Sequence, residues 1–365
     1  MDTDPVADPS KPAGDSHAAW PSDGLETVPA CPVCGDARRM PLHRGLQDRV
    51  FFVAPGEWTL WHCAGCGSAY LDPRPNRQSI GLAYGSYFTH EAPATCKTLN
   101  ARRRNPIAWL CQGLRNDYLN RRFGYNLAPA LRGGALLRHW VSAHGREDAH
   151  RIRHLPALHG YPAALLDVGC GNGSFLLDAC QLGYEVMGLE FDPRAVRVAR
   201  TAGLEVISAQ IPGSGLGTAH FDQVTLNHVI EHLHDPVGAL QEIHQLLKPG
   251  GRVWIKTPNL DATGHRRFGA AWRGLEPPRH LVLFGPRGLY RALAGAGFTR
   301  AELLPPEPEA RFYLRSSSAI ARGADPYARH PISPGLALNA HRLDRQAALL
   351  PKQGESITMV AWKGV

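Results

Sequence analysis

The chain reads as an α/β protein with a mostly parallel sheet wrapped on both faces by helices, and three observations predict it. From Leu165 onward, strand-like and helix-like text alternate regularly, the signature of βαβ units. Proline opens successive helices and glycine closes them, at Asp192-Pro193 and Gly203, then at Asp235-Pro236 and Gly250-Gly251, as capping physics requires. The first strand, Leu165-Leu166-Asp167-Val168, runs straight into Gly169-Cys170-Gly171-Asn172-Gly173. Three alternate glycines leave bare backbone at the carboxyl end of a strand, where open α/β sheets bind ligands.

The 365 residues predict two domains, one long enough to bury a full α/β core. An apolar content of 44% is ordinary for a globular protein, and no run of 18 apolar residues offers a membrane span. Residues 1–30 carry six acids and one Lys among Pro, Ala and Ser, which predicts a disordered tail. The amino terminus does not read as a secretory signal. The expectation is a cytoplasmic protein.

Residues 31–71 form the first compact unit, a four-cysteine module. Cys31-Pro32-Val33-Cys34 and Cys63-Ala64-Gly65-Cys66 are two C-x-x-C pairs with strand-like text between them, and Gly35 and Gly67 follow directly. Each pair presents two thiolates on a tight turn, and two such turns complete a tetrahedral shell around one ion. The unit looks like a zinc ribbon with a structural zinc on Cys31, Cys34, Cys63 and Cys66. A filled shell leaves no place for a catalytic water. Redox cysteines are the competing reading.

Residues 72–162 read as a helical, basic connector or lid. From Ala92 to Pro162 eleven Arg and one Lys face Asp117, Glu147 and Asp148, a balance of 12 − 3 = +9 against +8 for the whole chain. Asn105-Pro106 makes a helix start, and Ile107, Leu110, Cys111, Leu114 and Tyr118 recur at helical spacing, predicting one packed side and one basic side. The charge draws an anionic small-molecule substrate or merely solvates a surface. With Trp109, Tyr118, Phe123, Tyr125 and Trp140 it also permits nucleic-acid or membrane-surface contact.

Residues 163–365 hold the main domain. After Glu185–Glu190, strands are expected at Leu204–Ser208, Phe221–Leu226 and Arg252–Lys256, and Gly297–Leu303 with Ser356–Trp362 reads as a terminal antiparallel hairpin.

The glycine turn is built for a nucleotide-like cofactor. Ser174 stands where a dinucleotide fingerprint needs its third glycine, so the spacing is G-x-G-x-G, with Asp167 two residues ahead. Glu190 ends the next strand at the separation from which a carboxylate reaches ribose hydroxyls; the alternative is a tight turn beside an unrelated Glu. This pattern resembles motif I of class I S-adenosylmethionine (SAM) methyltransferases. Phe221-Asp222, Asn227-His228-Val229-Ile230-Glu231-His232-Leu233-His234-Asp235-Pro236, Leu247-Lys248-Pro249-Gly250-Gly251 and Lys256-Thr257-Pro258-Asn259 resemble later motifs of the branch containing ubiquinone-biosynthesis, sugar and natural-product methyltransferases. The resemblance implies a Rossmann-like seven-stranded sheet.

By resemblance, Asp167, Gly169, Gly171 and Gly173 hold the methionyl end of SAM and Glu190 the ribose, flanked by Gly188 and Phe191. Ser208, Ala209 and Gln210 occupy the adenine stretch but lack the acidic residue common there. Asn227, counted with the cofactor-binding residues, and His228 follow the fourth strand, where the methyl group faces the acceptor. Two histidines are candidate general bases, His228 and His280, the latter beside Arg279, a grip for phosphate or carboxylate. Either histidine could equally be scaffold. Relatives of the ubiquinone type place a divalent ion at E-x-x-E-H; here His228 replaces the first Glu, and His228, Glu231 and His232 are read as metal-free on one helical face. The leading function is methylation of a small metabolite, a nucleotide sugar or glycoconjugate precursor, with O, C or N open. An RNA methyltransferase using the ribbon and the basic insert is the second reading, although the Asn-Pro-Pro-aromatic motif is missing. A SAM-binding protein without turnover is the third.

Overall fold

The computed structural model describes residues 19–84, 106–133, 147, 149–158, 162–328 and 330–365. Two compact units share the chain. One gathers residues 1–87, 228–241 and 256–359, the other 88–227, 242–255 and 360–365.

In the first unit the chain opens with β1 (Leu25–Glu26), β2 (Arg39–Leu46), β3 (Trp58–Cys63), β4 (Ala69–Leu71) and β5 (Arg74–Pro75). β1 pairs with β5. Residues 19–30, within the stretch expected to be a tail, thus include a paired strand and a buried ring. Trp20 is buried at 6% exposure, rests edge-on against Trp58 at 5.5 Å and donates its indole N–H to Ser79. Apolar burial of one large ring is what the acidic composition of the segment concealed. Residues 1–18 lie outside the described residues.

The second unit begins with α1 (Pro106–Phe123) and continues through β6 (Ala164–Val168), α2 (Ser174–Gln181), β7 (Glu185–Glu190), α3 (Pro193–Thr201), β8 (Val206–Ser208) and β9 (Phe221–Asn227). β6 pairs in parallel with β7 and β9, and β7 with β8. Under β6 and β7, Leu165, Leu176, Ala179, Val196 and Val206 form one apolar core. Asp192 caps α3 by accepting the Arg194 N–H at 2.8 Å, with Pro193 next, as the sequence predicts.

α1 departs from expectation. Its buried positions are Gly113, Asn116, Asp117 and Leu119, whereas Ile107 and Leu110 stand 74% and 49% exposed. The apolar stripe is not the packed face. Asparagine side chains decide the orientation: Asn116 donates to the Pro129 carbonyl at 2.9 Å, and Asn120 both donates to the Leu127 carbonyl and accepts its N–H. Residues 85–105 and 134–146, including Trp140, lie outside the described residues.

The chain goes on with α4 (Pro236–Leu246) and β10 (Leu247–Pro258), then α5 (Thr263–Phe268), β11 (Val282–Leu283), α6 (Pro286–Gly295), β12 (Arg300–Leu304), α7 (Ala310–Ala321), α8 (Pro334–Leu349) and β13 (Ser356–Trp362). Seven strands form one sheet in the order β12-β13-β10-β9-β6-β7-β8, the mostly parallel, Rossmann-like α/β architecture expected. β12 and β13 are neighbours but no simple hairpin, since α7 and α8 lie between them in the chain. The second sheet, β11-β4-β3-β2, is antiparallel, and Val282 pairs with Tyr70 and Leu283 with Ala69.

Candidate functional site

The glycine turn lies at the carboxyl end of β6. Gly169, Gly171 and Gly173 all adopt positive φ, at 67°, 55° and 83°, a region closed to most side chains. At Gly173 a Cβ would stand 2.3 Å from Leu204 Cδ1. Asn172 accepts from Ser174 N–H and Oγ, fastening the start of α2.

Glu190 is tied to this turn. One carboxylate oxygen accepts the Gly171 N–H at 2.8 Å, and the other accepts those of Phe191 and Asp192 at 2.9 and 3.0 Å. Burial raises its carboxyl above the usual range, against these three donors. A carboxylate offers about four acceptor positions, so capacity remains for a hydroxyl. Phe191 exposes 50% of its surface beside it. Gln210 and Asn227 are exposed, at the ends of β8 and β9.

Asp167 is wholly buried. Its Oδ1 takes the Arg153 guanidinium and the Thr225 hydroxyl, the latter at 2.9 Å, while Oδ2 has no partner among the described residues. Arg153 also lies 3.7 Å from the centre of the Phe175 ring. The sequence reading missed Arg153, one arginine among many in a basic stretch with no motif around it. A bare, left-handed turn, a carboxylate with spare acceptor capacity and an orphaned buried oxygen are acceptors and shapes that fit an adenosine-type cofactor bearing an ammonium group.

In the other unit, His228 follows Asn227 directly, with φ of 54°. Its Nδ1 lies 3.1 Å from Glu231 Oε1, and its side chain keeps 32% exposure. Glu231 is fully buried and accepts the Thr257 hydroxyl at 3.0 Å. Burial opposes its ionisation, yet the hydrogen bond from His228 and the charges of His228, His232 and His280 hold its carboxyl at about 2. The expected helical face is corrected: the helical turn covers only Ile230–His232, and Glu231 and His232 converge with His280. His232 Nδ1 lies 3.0 Å from the Arg279 carbonyl and from Tyr84 Oη.

His280 is 4% exposed. Its Nδ1 lies 2.8 Å from the Gly274 carbonyl, and burial pushes its pKa down to about 4. Arg279 is no anion grip. It is fully buried, bound by Asp48 at 2.6 and 3.1 Å, by Glu276 at 3.0 Å and by the Ala83 carbonyl, because a buried guanidinium must be neutralised on the spot.

The four module cysteines converge as their spacing implies. Cys31 and Cys66 Sγ lie 3.6 Å apart, Cys34 and Cys63 Sγ 3.5 Å. A tetrahedron with Zn–S bonds of about 2.3 Å has S···S edges of about 3.8 Å. Gly35 and Gly67, at φ of 74° and 79°, close matching knuckles by donating to the Cys31 and Cys63 carbonyls. The donor set fits a zinc ion.

Comparison with known proteins adds to this geometry. Residues 138–303 match the family model described as a methyltransferase domain. A ubiquinone biosynthesis O-methyltransferase of Xanthomonas oryzae pv. oryzae is 36% identical over 136 residues, 35% of this chain and 54% of that protein. Its namesake in Leptothrix cholodnii is 36% identical over 103 residues, 26% of this chain and 44% of that protein. The chain spans about half the length of the curated relatives it matches. Among solved structures, a SAM-dependent methyltransferase from Archaeoglobus fulgidus covers 62% of this chain and 99% of its own, at 17% identity and a TM-score of 0.41.

Proposed function

The stretch 138–303 is a class I, SAM-dependent methyltransferase domain, and on that premise we propose that the chain methylates a hydroxyl of a small metabolite. The observation that carries this reading is the Gly171 turn tied to Glu190 at 2.8 Å. Glu190 would hold the ribose, the turn from Gly169 to Gly173 the methionyl arm, and Phe191 the adenine edge. The cofactor, when bound, supplies a methyl group on a positively charged sulfur.

His228 is assigned the general base. Its Nδ1 faces Glu231, so Nε2 is left to take the acceptor's proton; the buried, ionised Glu231 then stabilises the imidazolium, and Thr257 fixes that carboxylate. His280, buried against the Gly274 carbonyl, orders its loop. The names of the relatives support an oxygen acceptor, and phenols and nucleotide sugars are the two acceptor classes to try. A structural zinc on the four thiolates folds the module.

Titration calorimetry tests the cofactor site: Gly171→Val and Glu190→Ala are expected to abolish SAM binding, and unchanged affinity would overturn the assignment. A SAM-consumption screen against phenols, nucleotide sugars and RNA then finds the acceptor. With that acceptor, His228→Gln is expected to lower kcat by about 10²–10⁴-fold with SAM affinity intact.

A further inference from the structure

Three buried side chains, Asp167, Thr225 and Arg153, meet just before the glycine turn. Asp167 stands opposite Thr225 in the β6–β9 ladder, and Arg153 Nη1 donates to both, to Thr225 Oγ1 at 2.8 Å and to Asp167 Oδ1. Thr225 donates to that same Oδ1 at 2.9 Å. The guanidinium also lies 3.7 Å from the ring centre of Phe175, in the first turn of α2. It therefore fastens the strand before the glycine turn to the helix after it. Arg153 and His154 both hold positive φ, at 50° and 49°, where a non-glycine residue stays only if the surrounding structure over-determines it.

Asp48 shows what plain neutralisation of a buried carboxylate looks like in this chain, with one arm of Arg279 on each oxygen. Asp167 is gripped on Oδ1 alone, and Oδ2 meets no donor among the described residues. Burial pushes its carboxyl above the usual range, while Arg153 and Thr225 pull it back. A carboxylate oxygen left bare at that depth calls for a donor that a ligand can bring. We propose that Arg153 is a positioning residue of the cofactor site: by holding Asp167 on one oxygen it keeps the other for the ammonium of the SAM amino-acid arm, reached directly or through one water. This role rests on the cofactor reading of the glycine turn, and Arg153 acts through Asp167.

Titration calorimetry of the full chain with two probes tests this: S-adenosylhomocysteine, which carries the amino-acid arm, and methylthioadenosine, which lacks it. Arg153→Met is expected to weaken S-adenosylhomocysteine about tenfold or more and to leave methylthioadenosine unchanged, with Arg153→Lys recovering part of the loss. Thr225→Val removes one hydroxyl and leaves the ion pair; it should show the same split in smaller degree, and it decides the matter if Arg153→Met does not fold. In an Asp167→Asn background, Arg153→Met is expected to cost nothing further. Equal losses of both probes, no loss of either, or a full additional loss in the Asp167→Asn background overturn the positioning role. Glu190→Ala should weaken both probes, because both carry the ribose. A parent chain that binds neither probe, or a Glu190→Ala variant that binds both as the parent does, overturns the cofactor reading itself and this role with it.

Discussion

Replacing Asp48 by Ala is expected to remove about 5 kcal/mol of unfolding free energy. The carboxylate, 6% exposed, gathers six donors. Val50 and Phe51 N–H reach Oδ1 at 3.2 and 3.1 Å, Val53 and Ala54 N–H reach Oδ2 at 3.1 Å each, and Arg279 adds one arm to each oxygen. Burial works against its ionisation, but Arg279 and the backbone donors hold the carboxyl below the usual range. Removing one partner of a buried ion pair costs about 3–5 kcal/mol, and a shielded backbone donor without an acceptor about 1–3 kcal/mol. Water entering the freed 50–54 loop offsets most of the second effect, and Glu276 still neutralises part of Arg279, so the total falls near the top of the ion-pair range. Against a typical stability of about 5–15 kcal/mol, that is a third or more. Urea unfolding followed by tryptophan fluorescence measures it. The Asp48→Ala, Arg279→Met double variant is expected to lose less than the sum of the singles, because no isolated buried charge remains. A loss below about 1 kcal/mol for Asp48→Ala, or strict additivity, would refute the reasoning.

Acid sensitivity should come first from histidine. Burial and His265 push His43 down to about 4, and burial does the same to His280. Unfolded histidine titrates near about 6.5, so both contributions are present above that pH and lost as pH falls towards about 4; unfolding midpoints across this window check it, and a flat profile counts against it. Glu355 acts in the opposite sense. It accepts from the Trp272 and Gly264 N–H groups with no cation in ion-pair reach among the described residues, and burial raises it to about 7, so its contribution disappears as pH rises from about 4.5 through 7, and Glu355→Gln should gain on the parent from pH 5 to pH 8 in the same assay. Gly188→Ala drives a Cβ to 2.6 Å from Cys170 Sγ and 3.0 Å from Leu176 and Val206; overpacking of about 1–3 kcal/mol and weaker SAM binding are expected, and an unchanged melting temperature would contradict it. Metal analysis is expected to give one zinc per chain, lost in Cys31→Ser and Cys63→Ser; retention of zinc by both variants would dismiss the ribbon.

What was legible in the sequence was local. Strand text, capping prolines and the three glycines placed the parallel sheet and its turn, because each signal is written within a few neighbours. Cysteine spacing placed four thiolates together for the same reason. The fate of Arg279 was not legible, since its neutraliser Asp48 stands 231 positions away. Nor was the orientation of α1: periodicity shows that a stripe exists, while the asparagine bonds that turn it outward depend on where residues 127–131 return. Arg153 beneath Asp167 belongs to the same class, a long-range partner in text that reads only as basic.

The strand pairing of β11 with β4 bears on how the polypeptide matures. Residues 69–71 wait for a partner at 282–283, which emerges roughly 210 positions later. At a synthesis rate of about 5–20 residues per second, that is an interval of about 10–40 s. Throughout it β4 presents an open edge, and Arg279 has not yet arrived to occupy Asp48. The four cysteines lie within residues 31–66, and with the proposed zinc bound their knuckles would fold before the distant strand is made and hold the nascent amino-terminal segment in register until that strand closes it.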